Sequence, residues 1–232
     1  GAILTTVDGI VYSADGTRII AVLTSASGDI RIAEGVTEIP YRLFDNNNRI
    51  TGVGIPEGVT SIGDYAFRGC KNLTSIVLPK GVTSIGNNAF YDCTALTSVE
   101  LPEGVTSIGR DAFSYCSALT DIMIPEGVTT IGDSAFQSCN ALTSIVIPGS
   151  VTSIKSMAFY SCDALTSIVI SKGVTSIGEF AFKWCYNLTS IVIPESVTSI
   201  GYSAFSGCKK LTNIELPEGV TSIQNGAFQD CS

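Results

Sequence analysis

The residues of this sequence best equipped for chemistry are eight cysteines: Cys70, Cys93, Cys116, Cys139, Cys162, Cys185, Cys208 and Cys231, each 23 residues from the next. Thiols can ligate a metal, pair as disulfides or serve as nucleophiles. Their spacing argues against the first and last of these, because metal and redox motifs set two cysteines close together and no C-x-x-C pair occurs. The chain has no histidine, so the commonest general base and metal ligand is absent. The carboxylates are dispersed. Glu57, Glu103, Glu126, Glu195 and Glu218 share one repeat position that Lys80 and Lys172 occupy in other copies. A position that accepts either sign of charge reads as a solvated edge, not a cation site. No catalytic residue, metal or cofactor is expected.

What must position these residues is a repeat. Phe67, Phe90, Phe113, Phe136, Phe159, Phe182, Phe205 and Phe228 keep the same 23-residue period, each preceded by alanine. A fixed period of 20–29 residues is the signature of a leucine-rich repeat. One unit runs from Leu73 to Ala95. Leu73, Ile76 and Leu78 have the spacing of a first strand with inward apolar residues, and Pro79 and Gly81 turn the chain. Val82-Thr83-Ser84-Ile85 reads as a second short strand. The stretch from Asn87 to Cys93 then fits a short helical or 3₁₀ turn, with Ala89, Phe90 and Cys93 on its inner face. A single coil cannot bury so many apolar positions, but stacked coils share one core. The expected fold is an α/β repeat solenoid, with two short strands and one helical or 3₁₀ turn per coil. Buried free thiols are the favoured state of the cysteine column. Disulfides between neighbouring coils are the alternative.

Eight regular repeats are read over 50–232, after a degenerate first repeat over 27–49 in which Asn47 stands where cysteine belongs. Residues 1–26 are expected to form an N-terminal β-hairpin cap, with Asp8 to Tyr12 and Thr17 to Leu23 flanking Ser13-Ala14-Asp15-Gly16. The chain opens without methionine and nothing like a cap follows Cys231. It is therefore expected to be a piece of a longer protein, with its C-terminus truncated.

The recurring string L-T-S-I-x-I-P-E-G-V-T-S-I-G-x-x-A-F-x-x-C resembles the BspA-type leucine-rich repeat, also called the Treponema pallidum type, over residues 27–232. The segment D-G-x-x-Y-S-x-D-G, from Asp8 to Gly16, resembles the stretch that often precedes these repeats. Departures are few: Ser171 replaces the strand-ending proline, Lys155 and Gln224 replace the glycine before the last turn, and Ser150 and Ser196 replace the turn glycine. The resemblance implies a surface or secreted protein, mostly of bacteria, that adheres to host proteins or to other cells. It brings no shared catalytic residues.

Charge narrows the partners. There are 13 basic against 21 acidic residues, a net charge of −8 that disfavours nucleic acid and anionic membranes. No apolar run approaches the roughly 20 residues a membrane span needs, so no membrane insertion by this stretch is expected. Asn72-Leu73-Thr74 and Asn187-Leu188-Thr189 match the glycosylation sequon, but arise because Leu-Thr recurs in the repeat.

Binding, if any, must use the positions that vary. In the first strand these include Val146, Val169 and Val192, an apolar row expected on the concave face. On the turn column they include Met157, Tyr160, Phe180, Trp184, Tyr186 and Tyr202. Phe180 and Trp184, four apart on a helical turn, should meet on its outer surface. Met157 should lie one coil away in the column of Phe180. Aromatic and methionine side chains are favoured at binding hot spots, and equally the row could simply shield the surface. The expected function is protein binding or adhesion at a bacterial cell surface, with weak self-association possible. A passive spacer that presents another domain is the alternative.

Overall fold

The structure is a computed structural model that describes residues 4–231. Residues 1–3 of the expected cap and Ser232 of the last repeat lie outside the described residues. Strands β1 (Thr5–Val7), β2 (Ile10–Tyr12) and β3 (Ile19–Val22) form an antiparallel sheet in the order β1-β2-β3. The hairpin around Ser13–Gly16 is β2–β3, closed by the Gly16 N–H donating to the Ser13 carbonyl at 2.8 Å. Asp8 and Gly9, read from sequence as part of a strand, instead make a tight turn that adds β1. Their φ values of 51° and 78° suit the left-handed turn that Asp-Gly favours between twisted strands. Gly9 also has no room for a side chain, since a Cβ there would lie 2.8 Å from the Ala26 backbone. Ile10 and Tyr12 are buried, and the Tyr12 hydroxyl accepts a hydrogen bond from the Ala33 N–H at 3.0 Å.

Beyond the cap the chain winds as a β-solenoid of about nine turns. Counted in 23-residue steps from Ser27, these are coils 1 to 9. Each of coils 3 to 8 buries the same eight side chains, in coil 3 Leu73, Ile76, Leu78, Val82, Ile85, Ala89, Phe90 and Cys93. Equivalent strands of successive coils pair in parallel with equivalent repeat positions aligned, Ile76 with Val99 and Ile85 with Ile108. The cores join into one cluster from Ile10 to Ala227.

The third side of each coil contradicts the helical or 3₁₀ turn expected from sequence, and with it the α/β class. Among the described residues there is no helix. In coil 3 the N–H groups of Ala89, Tyr91 and Cys93 donate back to Gly86, Asn88 and Phe90 at 3.2–3.3 Å. Those of Asn88, Phe90 and Asp92 donate instead to Arg110, Ala112 and Ser114 of the next coil at 2.8–2.9 Å. A helix would direct its amide bonds along its own segment and not alternately to the next coil. Alternation requires two left-handed residues per coil, and positive φ recurs at Arg42, Tyr65, Asn88, Asp111, Ser134, Met157, Phe180, Ser203 and Gly226 and again four residues after each. The inward set of Ala, Phe and Cys is the same in either geometry, so the sequence pattern could not tell them apart.

This turn column is unbroken. Phe44 to Phe228 stack ring on ring with centroids 5.2–5.4 Å apart. Each cysteine thiol donates to the carbonyl of a phenylalanine in the preceding coil, Cys93 to Phe67 at 3.0 Å and Cys139 to Phe113 at 3.2 Å. All eight cysteines are free, and only Cys231 is partly exposed. Burial pushes the Cys70 thiol up to about 12, and those of Cys93, Cys116, Cys162 and Cys185 well above their ordinary range.

The strand sides are not continuous. The second-strand sheet stops between coil 5 and coil 6, ending at Ile131 and restarting at Ser153; the first-strand sheet ends at Glu100 of coil 4, reaches coil 5 only through the isolated Ser98–Asp121 bridge, and restarts at Ser144 of coil 6. At the other junctions up to coil 8 the N–H of a threonine bonds the threonine 23 residues earlier, as Thr120 to Thr97 at 3.2 Å and Thr129 to Thr106 at 2.9 Å. The bonds from Thr143 and Thr152 across this junction are missing, as is the one from Lys155 to Ile131. We assign the seam to Lys155. At Gly86, Gly109 and Gly132, in the same column, a Cβ would meet the preceding coil's backbone at 2.5–2.6 Å. Lys155 has that Cβ, so coil 6 cannot close onto coil 5 there. Gln224 is the other replacement, in the terminal coil: its N–H still reaches the Ile200 carbonyl at 3.0 Å and the second strands stay paired, while the first strands keep only the isolated Val192–Glu215 bridge.

Candidate protein-binding surface

The outer rows of the turn column carry the side chains that the core leaves free. Left-handed φ is easy for glycine and tolerable for Asn and Asp, and costs a bulky residue about 1–2 kcal/mol. Coils 3, 5, 8 and 9 carry small or Asn/Asp residues at both positions, as at Asn88 and Asp92, while coil 4 has Tyr115 at its second. Coils 6 and 7 depart as well: Met157, Phe180 and Trp184 hold φ of 55°, 56° and 64°.

The expected contact between Phe180 and Trp184 is corrected by the absent helix. Their rings pair between coils: Trp184 lies 5.0 Å from Tyr160 in a tilted pair, and Phe180 lies 5.3 Å from Tyr202, edge to face. What joins the two pairs is Lys183, which the sequence reading passed over. Its ammonium sits 5.0 Å from the Phe180 ring and 4.9 Å from that of Trp184, both within cation–π range. Lys209 lies 5.2 Å from the Tyr186 ring in the same way. Neither lysine has a carboxylate partner among the described residues. Trp184, Tyr186 and Tyr202 are exposed, while Met157, Tyr160 and Phe180 are half-buried. Burial, with the neighbouring Tyr186 and Tyr115 hydroxyls, raises the Tyr160 phenol above its usual range.

A second patch of the same kind, which sequence reasoning missed, lies on coils 1 and 2. The Arg42 guanidinium is 5.2 Å from the Tyr41 ring and 5.3 Å from that of Tyr65, and Arg68 is 5.1 Å from Tyr65. Asp45 takes a bidentate pair of hydrogen bonds from Arg68, at 2.8 and 2.9 Å. Here too the left-handed position holds bulky residues, Arg42 and Tyr65. A signal was present in sequence: the column that reads Asn, Asp, Ser and Gly elsewhere reads Arg, Tyr, Met and Phe in these four coils.

Val146, Val169 and Val192 are on the first-strand face, stacked in register and 52%, 52% and 73% exposed. They share no contact set with the turn-column cluster, which lies on a different side of the coil. The sequon asparagines have structural work: Asn72 donates to the Asn48 carbonyl at 2.6 Å and Asn187 to that of Asp163 at 2.7 Å. Among the described residues, no three Cys, Asp or Glu side chains converge as a metal site requires, and no helix is long and apolar enough to cross a membrane.

The BspA type leucine rich repeat region matches residues 37–166 and 152–232, in six copies. The chain belongs to that family. Among solved structures, the T. pallidum leucine rich repeat protein TpLRR is 28% identical, with 81% of this chain and 87% of that one covered and a TM-score of 0.68. A leucine rich cell surface protein of Faecalibacterium prausnitzii A2-165 is 29% identical over 100% of this chain and 87% of its own, with a TM-score of 0.42. None of the curated proteins matches the chain. The family is one of repeat proteins, generally non-enzymatic and typically protein-binding, and no catalytic family is indicated.

Proposed function

We propose that this stretch is a non-catalytic protein-binding module at a bacterial cell surface, which attaches to host proteins or to other cells through the aromatic cluster of coils 6 to 8. One observation carries the reading. Met157, Phe180 and Trp184 occupy left-handed positions where smaller residues would relieve strain, and strain of that kind gathers at functional sites. Around them stand rigid rings and two lysines without carboxylate partners, the composition of a binding hot spot. Weak self-association through the same cluster, and localisation outside the cell, belong to this reading.

The test compares two faces. Phe180→Ser with Trp184→Ser should leave folding nearly intact, because serine occupies both columns in other coils, at Ser134 and Ser138. Adhesion of the variant to an extracellular-matrix coat or to intact cells should fall at least about ten-fold, equivalent to about 1.4 kcal/mol. If adhesion persists and Val169→Lys abolishes it, the first-strand face carries the function. If neither change matters and only a longer form of the protein adheres, the coils are a spacer.

A further inference from the structure

The junction opened by Lys155 has chemistry of its own. On the first-strand face it forms a groove of about 350 Å³, whose lining includes Glu103, Asp121, Met123, Glu126 and Val146. Ile122 and Ile124 are buried beneath it. Met123 is 77% exposed and Val146 is 52% exposed, so its walls present apolar surface to solvent on both sides of the interrupted sheet. Its three carboxylates have no ion-pair partner among the described residues, and no lysine or arginine lines the groove. Asp121 adds a charge that its neighbours lack, since the same strand position holds serine in coils 3, 4, 6, 7 and 8 and aspartate again only at Asp29 of coil 1. The backbone is also unspent here, because the ladder bond between Thr143 and Thr120 is missing.

We propose that this groove docks an extended peptide segment of a partner protein, one with an aliphatic side chain flanked by lysine or arginine. The aliphatic group covers Met123 and Val146, and the cations meet Glu103, Asp121 and Glu126. Charge complementarity selects this occupant over an acidic or neutral one: three unpaired carboxylates around an apolar wall repel an anionic segment and leave a neutral one without polar partners. The occupant is distinct from whatever the turn-column cluster binds, on a different side of the coil.

The test uses two fluorescein-labelled pentapeptides, Lys-Leu-Lys-Leu-Lys and Glu-Leu-Glu-Leu-Glu, titrated with the protein by fluorescence anisotropy at low and physiological salt. The lysine peptide should bind and the glutamate peptide should not. Glu103→Lys with Glu126→Lys should weaken binding at least about ten-fold; the fold already carries lysine in that column, at Lys80 and Lys172. Lys155→Gly touches no groove side chain, yet should weaken binding similarly by letting coil 6 close on coil 5. Circular dichroism of each variant reports folding separately. Equal affinity for the two peptides, or folded forms of both variants that bind as the parent does, would overturn the proposal.

Discussion

The turn column and the strand faces are built from the same 23-residue coils, yet they differ in what interrupts them. On the turn side every junction from coil 1 to coil 9 keeps its backbone bonds, and Ser134, Phe136 and Ser138 still reach Ser156, Ala158 and Tyr160 at 2.8–2.9 Å across the coil 5–6 junction. On the strand sides the bonds from Thr143, Thr152 and Lys155 are absent at that same junction. The seam coincides with Lys155, whose Cβ stands where a Cβ at Gly86, Gly109 or Gly132 would meet the preceding coil's backbone at 2.5–2.6 Å. Continuity of the solenoid therefore rests on Phe, Cys and alternating left-handed turns, and of the two regular coils that lose the column's glycine only that of Lys155 loses the second-strand pairing as well.

That contrast can be broken most severely by alkali. Seven thiols are buried in the turn column, and the folded state holds them protonated. A group whose folded pKa is raised stabilises the fold fully below its unfolded value, about 9 for a thiol, and that stability is lost as pH rises through the folded value, about 12 for Cys70. Circular dichroism should collapse cooperatively within this window, and native thiol labelling at neutral pH should find few reactive groups. A chain that keeps its circular dichroism at pH 12 would show that the thiols are not what the column depends on.

A smaller effect is expected from Phe136→Ala, about 3–5 kcal/mol, because it opens a cavity in the ring stack. Denaturant titration measures it, and a shift worth less than about 1 kcal/mol would place the stack outside the core. Smaller again is Lys155→Gly on the strand side. Recovering three ladder bonds at about 0.5–1.5 kcal/mol each, against about 1 kcal/mol for glycine's freedom, gives a net gain of about 2 kcal/mol. A lowered denaturation midpoint would contradict the assigned cause of the seam. The smallest change is Phe180→Ser, below about 1 kcal/mol, since relief of strain offsets the lost edge-to-face contact with Tyr202. Phe182→Ala, two residues on and fully buried, should behave like Phe136→Ala; similar losses at 180 and 182 would erase the distinction between the outer row and the core.

Much of this was legible in the residues. The 23-residue period, the inward set of Leu, Ile, Val, Ala, Phe and Cys and the hairpin around Ser13–Gly16 follow from spacing alone. The helix was misread because Ala89, Phe90 and Cys93 point inward on a helical turn and on a pair of left-handed turns alike. What separates them is where the Asn88 and Asp92 N–H groups go, and the acceptors lie in another coil. Lys155 was visible as a departure from the glycine column, but its consequence needed the distance between backbones. Of the outward aromatics, sequence supplied the row; the pairing of Tyr160 with Trp184, and the place of Lys183 between two rings, depend on which coil each side chain leans toward.

Native-state hydrogen exchange tests the central claim most directly. The Ser134, Phe136 and Ser138 amides should be strongly protected, while those of Thr143, Thr152 and Lys155 exchange far faster than Thr120, Thr129 and Gly132, one coil earlier. In the Lys155→Gly protein, the amides at 143, 152 and 155 should become as protected as their neighbours. Equal protection on both sides of the junction in the parent protein, or no gain in the variant, would contradict the account.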